Sequence, residues 1–571
     1  MYTVSLSSPQ DPPSLPQKET PENQEKRKQA LVEAQAEYVL SADNPHKIPL
    51  LQLPIPSQEA FSNHYNAERY MATLPMVNNE AVVSPGLQPF PASFTGLWDF
   101  DQLYKEIPKP LVHGGWMTDE LFGEQRLSGV NPGVLRGVKS FSELPACLKG
   151  PLTERLADPV SALIQAGGLY MVDYTETLKD IPNGALGPVP KFLPRPIGVF
   201  GWYGEGAKRK DPGGKNGRLL PVAILVDISD SDYKLFTPED GERWTLAKMC
   251  FNIADANVHE MSSHLGIAHF AQEAFGAITP RHLAANHPLR ILLAPHLRFL
   301  VFNNEEGIQR LINKGGPVDK LLASTLAGSI EIARTAAANW SVMESFSENL
   351  AARGVNDDKA LPHYPFRDDG LLIWKAISTF VENYLGLYYL TDDDVAGDYE
   401  LQAWAQQLAS SDLDGGRVKD MPSPISRADL FKVVANIIFT CSAGHSSVNY
   451  PQNPYLGFAP SAALSGWQDY RAFLANEHTT EAEQLDFMLK FLPPQQISLA
   501  QIGITYALSA YHFDQLGDYG DQFSDPMARH QLYRFNQDLN TIEQKIEVRN
   551  QSRVVPYTFL LPKEILNSPS I

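Results

Sequence analysis

Histidine is the side chain that most often binds borderline metals such as iron and zinc. His259, His264, His269, His287 and His296 all fall within one stretch of this chain, VHEMSSHLGIAHF continuing through NHPLRILLAPH. Five residues of an ordinary α-helix turn through about 500°, which leaves His264 and His269 roughly 140° apart and unable to share an ion. A π-turn of about 4.4 residues brings them within about 50° of each other, so a π-turn between them is predicted. A second constellation lies in CSAGHSSVNYPQNP, where His445 and Asn449 are four residues apart and share a face of an ordinary helix. Taken alone, that pair also fits a capped core histidine and an asparagine near a helix end. Joined to His264 and His269 it makes a set of neutral ligands, beside which a metal cation wants a carboxylate. A zinc hydrolase matches poorly, because His259-Glu260 is followed by His264, giving HExxxH in place of HExxH.

Such ligands need long buried helices to carry them. From about residue 155 onward helical patterns dominate, and Trp374 to Tyr389 (WKAISTFVENYLGLYY) is apolar nearly all round, as expected of a helix deep in a large core. Leu219 to Val226 (LLPVAILV) reads as a strand. Gln24 to Leu40 reads as a modestly amphipathic helix with Leu31, Ala34 and Tyr38 on one face. Packing on the main domain is expected for it, and the rival is a foot on a membrane surface helped by Lys26, Arg27 and Lys28. Residues 1–23 read as a disordered lead and the proline-studded residues 45–56 as an extended connector. The division expected is an N-terminal extension over 1–54 and one large domain over 55–571.

Composition excludes several classes of function. The chain has 571 residues, 43% hydrophobic and 20% charged, which is ordinary for a compact protein with a large core. Acidic residues outnumber basic ones 66 to 47 for a net charge of -19, and no Lys/Arg-rich block is present, so nucleic acid is not an expected partner. Cys147, Cys250 and Cys441 are too few and too scattered for a disulfide framework or a CxxC metal site, and they suit a reducing interior. Neither a secretory leader nor an apolar run of about 18 residues is found, so a cytoplasmic location is expected.

The intervals among the five histidines, x4, x4, x17 and x8, resemble the signature of the lipoxygenase family. Gly129-Val130-Asn131-Pro132, Trp244 with Ala247-Lys248, and Arg367-Asp368-Asp369-Gly370-Leu371 followed by Trp374 resemble further family segments in the family's order. The resemblance implies a mainly α fold, a large helical catalytic domain with a small β subdomain behind a short helical extension. It implies one non-heme iron, Fe(II)/Fe(III), on His264, His269, His445, Asn449 and the carboxylate of a C-terminal isoleucine, here Ile571. It further implies that Fe(III)-OH takes a hydrogen atom from a polyunsaturated fatty acid and that O2 adds to the pentadienyl radical to give a hydroperoxide. Gln452 matches a glutamine that links the metal site to the substrate cavity, Leu311 a leucine that clamps the pentadiene, and Leu499 or Ile502 would press from the other side. Gly307 stands where family members carry Ala in S-forming and Gly in R-forming enzymes, which favours an R product; its setting in NNEEG also fits a turn glycine. Too few residues precede the matching region for the β-sandwich lipid-docking domain of plant and animal members. A catalytically silent lipid-binding relative and a hydroperoxide-converting enzyme of the same fold are the alternatives.

Overall fold

In the computed structural model, which describes residues 12–41, 50–204, 217–476 and 478–571, a helix buried on every side runs through the centre. From Trp244 to Val258 each residue of the helix Glu242–Val258 is buried. It passes without a break into a π-helix, His259–Phe270, and then into the α-helix Ala271–His282. The helix Leu326–Asn339 lies along the π segment. A Cβ on Gly266 would stand 2.7 Å from the carbonyl oxygen of Ala333, so only glycine permits that approach. The other ligand-bearing segment begins in the helix Arg427–Phe439, widens into a π segment at Thr440–Gly444, and returns to α geometry over His445–Asn449.

A five-stranded antiparallel sheet stands to one side, in the order Arg136–Gly137, Leu169–Asp173, Ile197–Tyr203, Arg218–Asp227 and Tyr233–Phe236. Its faces belong to different cores. Phe200, Trp202 and Leu219 point into the main core, while Val199, Leu220 and Val222 pack with Leu148, Leu152 and Leu163 of the helix Ala146–Gln165. Burial on both faces is why LLPVAILV is continuously apolar and not alternating. With 57% helix and 8% strand, the fold is mainly α with a small β subdomain, as the sequence implied.

The structure corrects several sequence expectations. The core helix expected over 374–389 is Pro365–Leu385 and stops at Gly386. The helix expected over 24–40 is Pro21–Glu37, started by the Thr20 side chain accepting from the Asn23 amide. Residues 12–23 are ordered: Ser14 N–H donates to the Asn286 carbonyl at 3.1 Å and Pro16–Lys18 forms a 3-10 turn. Residues 1–11 of the expected lead and 45–49 of the expected connector lie outside the described residues. Each of the basic trio lies near a carboxylate, Lys26 by Glu22 at 2.8 Å and Lys28 by Glu25 at 4.0 Å in exposed pairs, and Arg27 by Glu400 in a buried one. Arg27 grips Glu400 with two hydrogen bonds, of 2.8 and 2.9 Å, and both side chains are buried. The helix is therefore packed on the main body, and Arg27 is not available to a membrane surface. Among the described residues no helix is long and apolar enough to cross a membrane.

Candidate metal centre

The π-helix does what the five-residue interval demanded. His264 and His269 face each other with their Nε2 atoms 3.2 Å apart, and ligand atoms of His264, His269 and His445 all lie within 4.8 Å of one another. Two imidazole nitrogens about 2.1 Å from one ion at a right angle stand roughly 3 Å apart, so the pair is spaced for a shared metal. All three rings are buried. Burial holds each imidazole below the ordinary histidine value, His269 and His445 well below, with His264 adding to the effect on both. Neutral rings are the metal-binding form. Both ring nitrogens of His445 and Nδ1 of His264 are buried without a hydrogen-bond partner. One nitrogen from each of the three neutral rings converges on a common point, so these residues fit a metal.

Asn449 shares the short helix of His445, as its four-residue interval predicted. Its Nδ2 donates to the Leu508 carbonyl at 2.7 Å, which turns Oδ1 the other way, where it accepts from Gln452 Nε2 at 3.1 Å. Gln452 thus orients the amide oxygen of Asn449, and it does not itself line the cavity beside the histidines. The remaining motif histidines have structural work. His259 Nε2 donates to the Val448 carbonyl at 2.7 Å, tying the two ligand-bearing helices together. His287 caps the helix Pro288–Leu297 by accepting from Leu289 N–H, and its Nε2 donates to Asp398 at 3.0 Å. His296 Nδ1 donates to the Asn567 carbonyl at 2.8 Å, so Nε2 is bare and accepts from the Tyr519 hydroxyl at 2.9 Å. That contact pins the tail from Leu566 to Ile571, every residue of which is buried.

An apolar cavity opens onto this point. His264, His269, Phe270 and Ile571 line it together with Gly307 and Leu311, and Arg310 stands at its exposed rim. Gly307 is not the turn residue that NNEEG suggested. It lies inside the helix Leu300–Arg310, and a Cβ built on it meets no atom within 4 Å. Leu499 and Ile502 do not reach the cavity; on the helix Gln495–Ser509 the cavity face carries Ile504, Ala507 and Leu508, while the two expected residues are buried in the core. Sequence reasoning missed Glu260, 3.6 Å from both His259 and His264, and it missed Asn304, whose Oδ1 is 3.2 Å from His269 Nδ1. Glu260 had a legible signal, its position one residue after the first motif histidine.

Residues 215–558 match the Lipoxygenase family model. The chain belongs to the lipoxygenase family. A linoleate 9/13-lipoxygenase of Pseudomonas aeruginosa is 33% identical over 83% of this chain and 70% of its own. The hydroperoxide isomerase ALOXE3 of Homo sapiens is 32% identical over 82% of this chain and 64% of its own. Among solved structures, a coral 8R-lipoxygenase superposes with a TM-score of 0.86 at 26% identity, over 98% of this chain and 83% of the coral chain. The described part of this lipoxygenase before residue 55 is helix and short turns, packed against the catalytic body.

Proposed function

We propose that this lipoxygenase inserts O2 into a polyunsaturated fatty acid such as linoleic or arachidonic acid at one non-heme iron held by His264, His269, His445, Asn449 and the α-carboxylate of Ile571, releasing an R-configured hydroperoxide. The observation that carries the reading is three neutral, buried imidazoles converging beside a largely apolar cavity. When bound, iron supplies the one-electron chemistry that draws a hydrogen atom from a CH2 flanked by two cis double bonds. The chain's own part is positional. Leu311, Ile312, Val318 and Leu508 offer the hydrocarbon a dry wall and keep water from the radical. Gln452 and the Leu508 carbonyl hold the Asn449 amide with its oxygen turned away from Leu508. The space beside Gly307 leaves room for O2 at one end and face of the pentadiene, which supports the R product. A structural neighbour described as an 8R-lipoxygenase and another as a calcium-dependent 11R-lipoxygenase favour the same hand. Addition of O2 to the fatty acid gives the hydroperoxide with no external reductant.

The likeness to a hydroperoxide isomerase supports a second reading, in which a preformed hydroperoxide is rearranged. Oxygen electrode traces separate the two, because rearrangement consumes no O2. With linoleic and arachidonic acids the purified protein is expected to take up O2 and give one dominant enantiomer on chiral chromatography. In His264→Ala both iron content and uptake should disappear, and their survival would sink the proposal.

A further inference from the structure

Three buried polar groups behind the metal centre form a chain whose hydrogen-bond polarity is fixed at its inner end by a backbone carbonyl. Leu50 N–H, which can only donate, meets Glu273 Oε1 at 2.8 Å. Glu273 Oε2 accepts from Asn304 Nδ2 at 3.1 Å. The same Nδ2 lies 3.4 Å from the backbone carbonyl of His269, which can only accept. The NH2 side of the Asn304 amide is thereby assigned, and its oxygen must be the atom facing His269 Nδ1 at 3.2 Å. An amide oxygen offers no proton, so His269 carries its proton on Nδ1 and presents a bare Nε2 to His264. The side chains of Leu50, Glu273 and Asn304 are all buried, so a lost partner leaves a buried polar group that is costly to leave unpaired.

We propose that Asn304 and Glu273 are positioning residues that lock His269 in the Nδ1–H tautomer and so hold Nε2 ready for the metal. The inference rests on the reading of His269 as a ligand. It also gives the N-terminal extension a part in the site, through the Leu50 amide. Outer partners of metal-bound histidines fix tautomer and ring orientation in this way, and their loss costs about 10- to 100-fold in metal affinity.

The test uses the full-length apoprotein labelled with 15N-histidine and cobalt(II) as the metal probe. In the wild type, the His269 ring signal, assigned by its loss in His269→Gln, should report a proton on Nδ1. Glu273→Gln keeps the shape, but Leu50 N–H claims the new amide oxygen and leaves an NH2 facing the NH2 of Asn304. His269 should then shift toward the Nε2–H form, and cobalt(II) should bind about 10- to 100-fold more weakly. Asn304→Leu should weaken cobalt binding to a similar degree while the apoprotein still melts cooperatively. A wild-type His269 protonated on Nε2 overturns the proposal whether or not the variants fold, and so does unchanged cobalt affinity in both folded variants. Cobalt binding that survives His264→Ala would instead count against the metal-site reading, and the tautomer result would stand apart from it.

Discussion

Two glycines near the metal centre do opposite jobs. At Gly307 an added methyl group meets nothing within 4 Å, so Gly307→Ala should raise stability by about 0.5–1 kcal/mol through its higher helix propensity. The same methyl enters the cavity, and the product should move toward an S hydroperoxide at another carbon. Chiral chromatography with thermal melting checks both halves, and an unchanged product would show that O2 does not use that space. At Gly266 the methyl collides with the Ala333 backbone oxygen, and Gly266→Ala should cost about 1–3 kcal/mol by overpacking, seen as a lower denaturation midpoint. Of the three imidazoles, the pairing of His264 with His269 was legible in the sequence because a five-residue interval has a geometric meaning on a helix, whereas the assignment of His445 as a ligand came through the resemblance to the family. Asn304 and Glu273 were not legible, since nothing in a lone asparagine and glutamate shows that they share a hydrogen bond. The choice of Leu499 and Ile502 failed on phase, because two residues along a helix turn a side chain through about 200°.

At the scale of elements, the five-residue interval between histidines predicted the widened turn, but not that it would run the length of His259–Phe270 or recur at Thr440–Gly444 and Gln452–Leu456. Tertiary packing sets those limits, and helical periodicity does not carry it. The role of His296 as the anchor of the tail was equally hidden, for its partner is the carbonyl of Asn567, 271 positions away. Burial pushes the His296 imidazole down to about 4. As pH falls, the unfolded chain takes up that proton first, near the ordinary histidine value of about 6.5. The stability from neutral His296 is thus whole above about 6.5 and is lost progressively as the pH drops toward 4. The gap in unfolding free energy between wild type and His296→Phe should therefore shrink by about 3 kcal/mol between pH 7 and pH 4. Urea titrations at intervals across that range measure it, and a constant gap would contradict the assignment. His296→Phe should also loosen the tail and lower metal content, although residue 296 is no ligand.

Across the whole molecule, the dominance of helix after about residue 155 and the strand LLPVAILV were legible from period and run length, while the small β subdomain as a unit was implied by the family resemblance. The ordering of residues 12–23 was not legible, because Ser- and Pro-rich composition says nothing of the Asn286 carbonyl that receives Ser14 N–H. The same limit applies to Arg27, whose partner Glu400 lies 373 residues on. Breaking a buried pair by deleting one member strands the other charge, so Arg27→Met should cost about 3–5 kcal/mol. Arg27→Met combined with Glu400→Leu should recover much of that loss in chemical denaturation, and a single variant as stable as the wild type would show that the pair is idle.

The docked extension also bears on how this protein can be engineered. A version trimmed to begin at residue 55, the natural cut for a fusion partner or a smaller crystallisation target, discards the guanidinium that neutralises Glu400 and the Leu50 amide that meets Glu273. Two interior carboxylates would each lose a partner by one deletion, Glu273 keeping only Asn304 and Glu400 the Ala284 amide, so a compact variant should keep residues 12–54 or replace both acids.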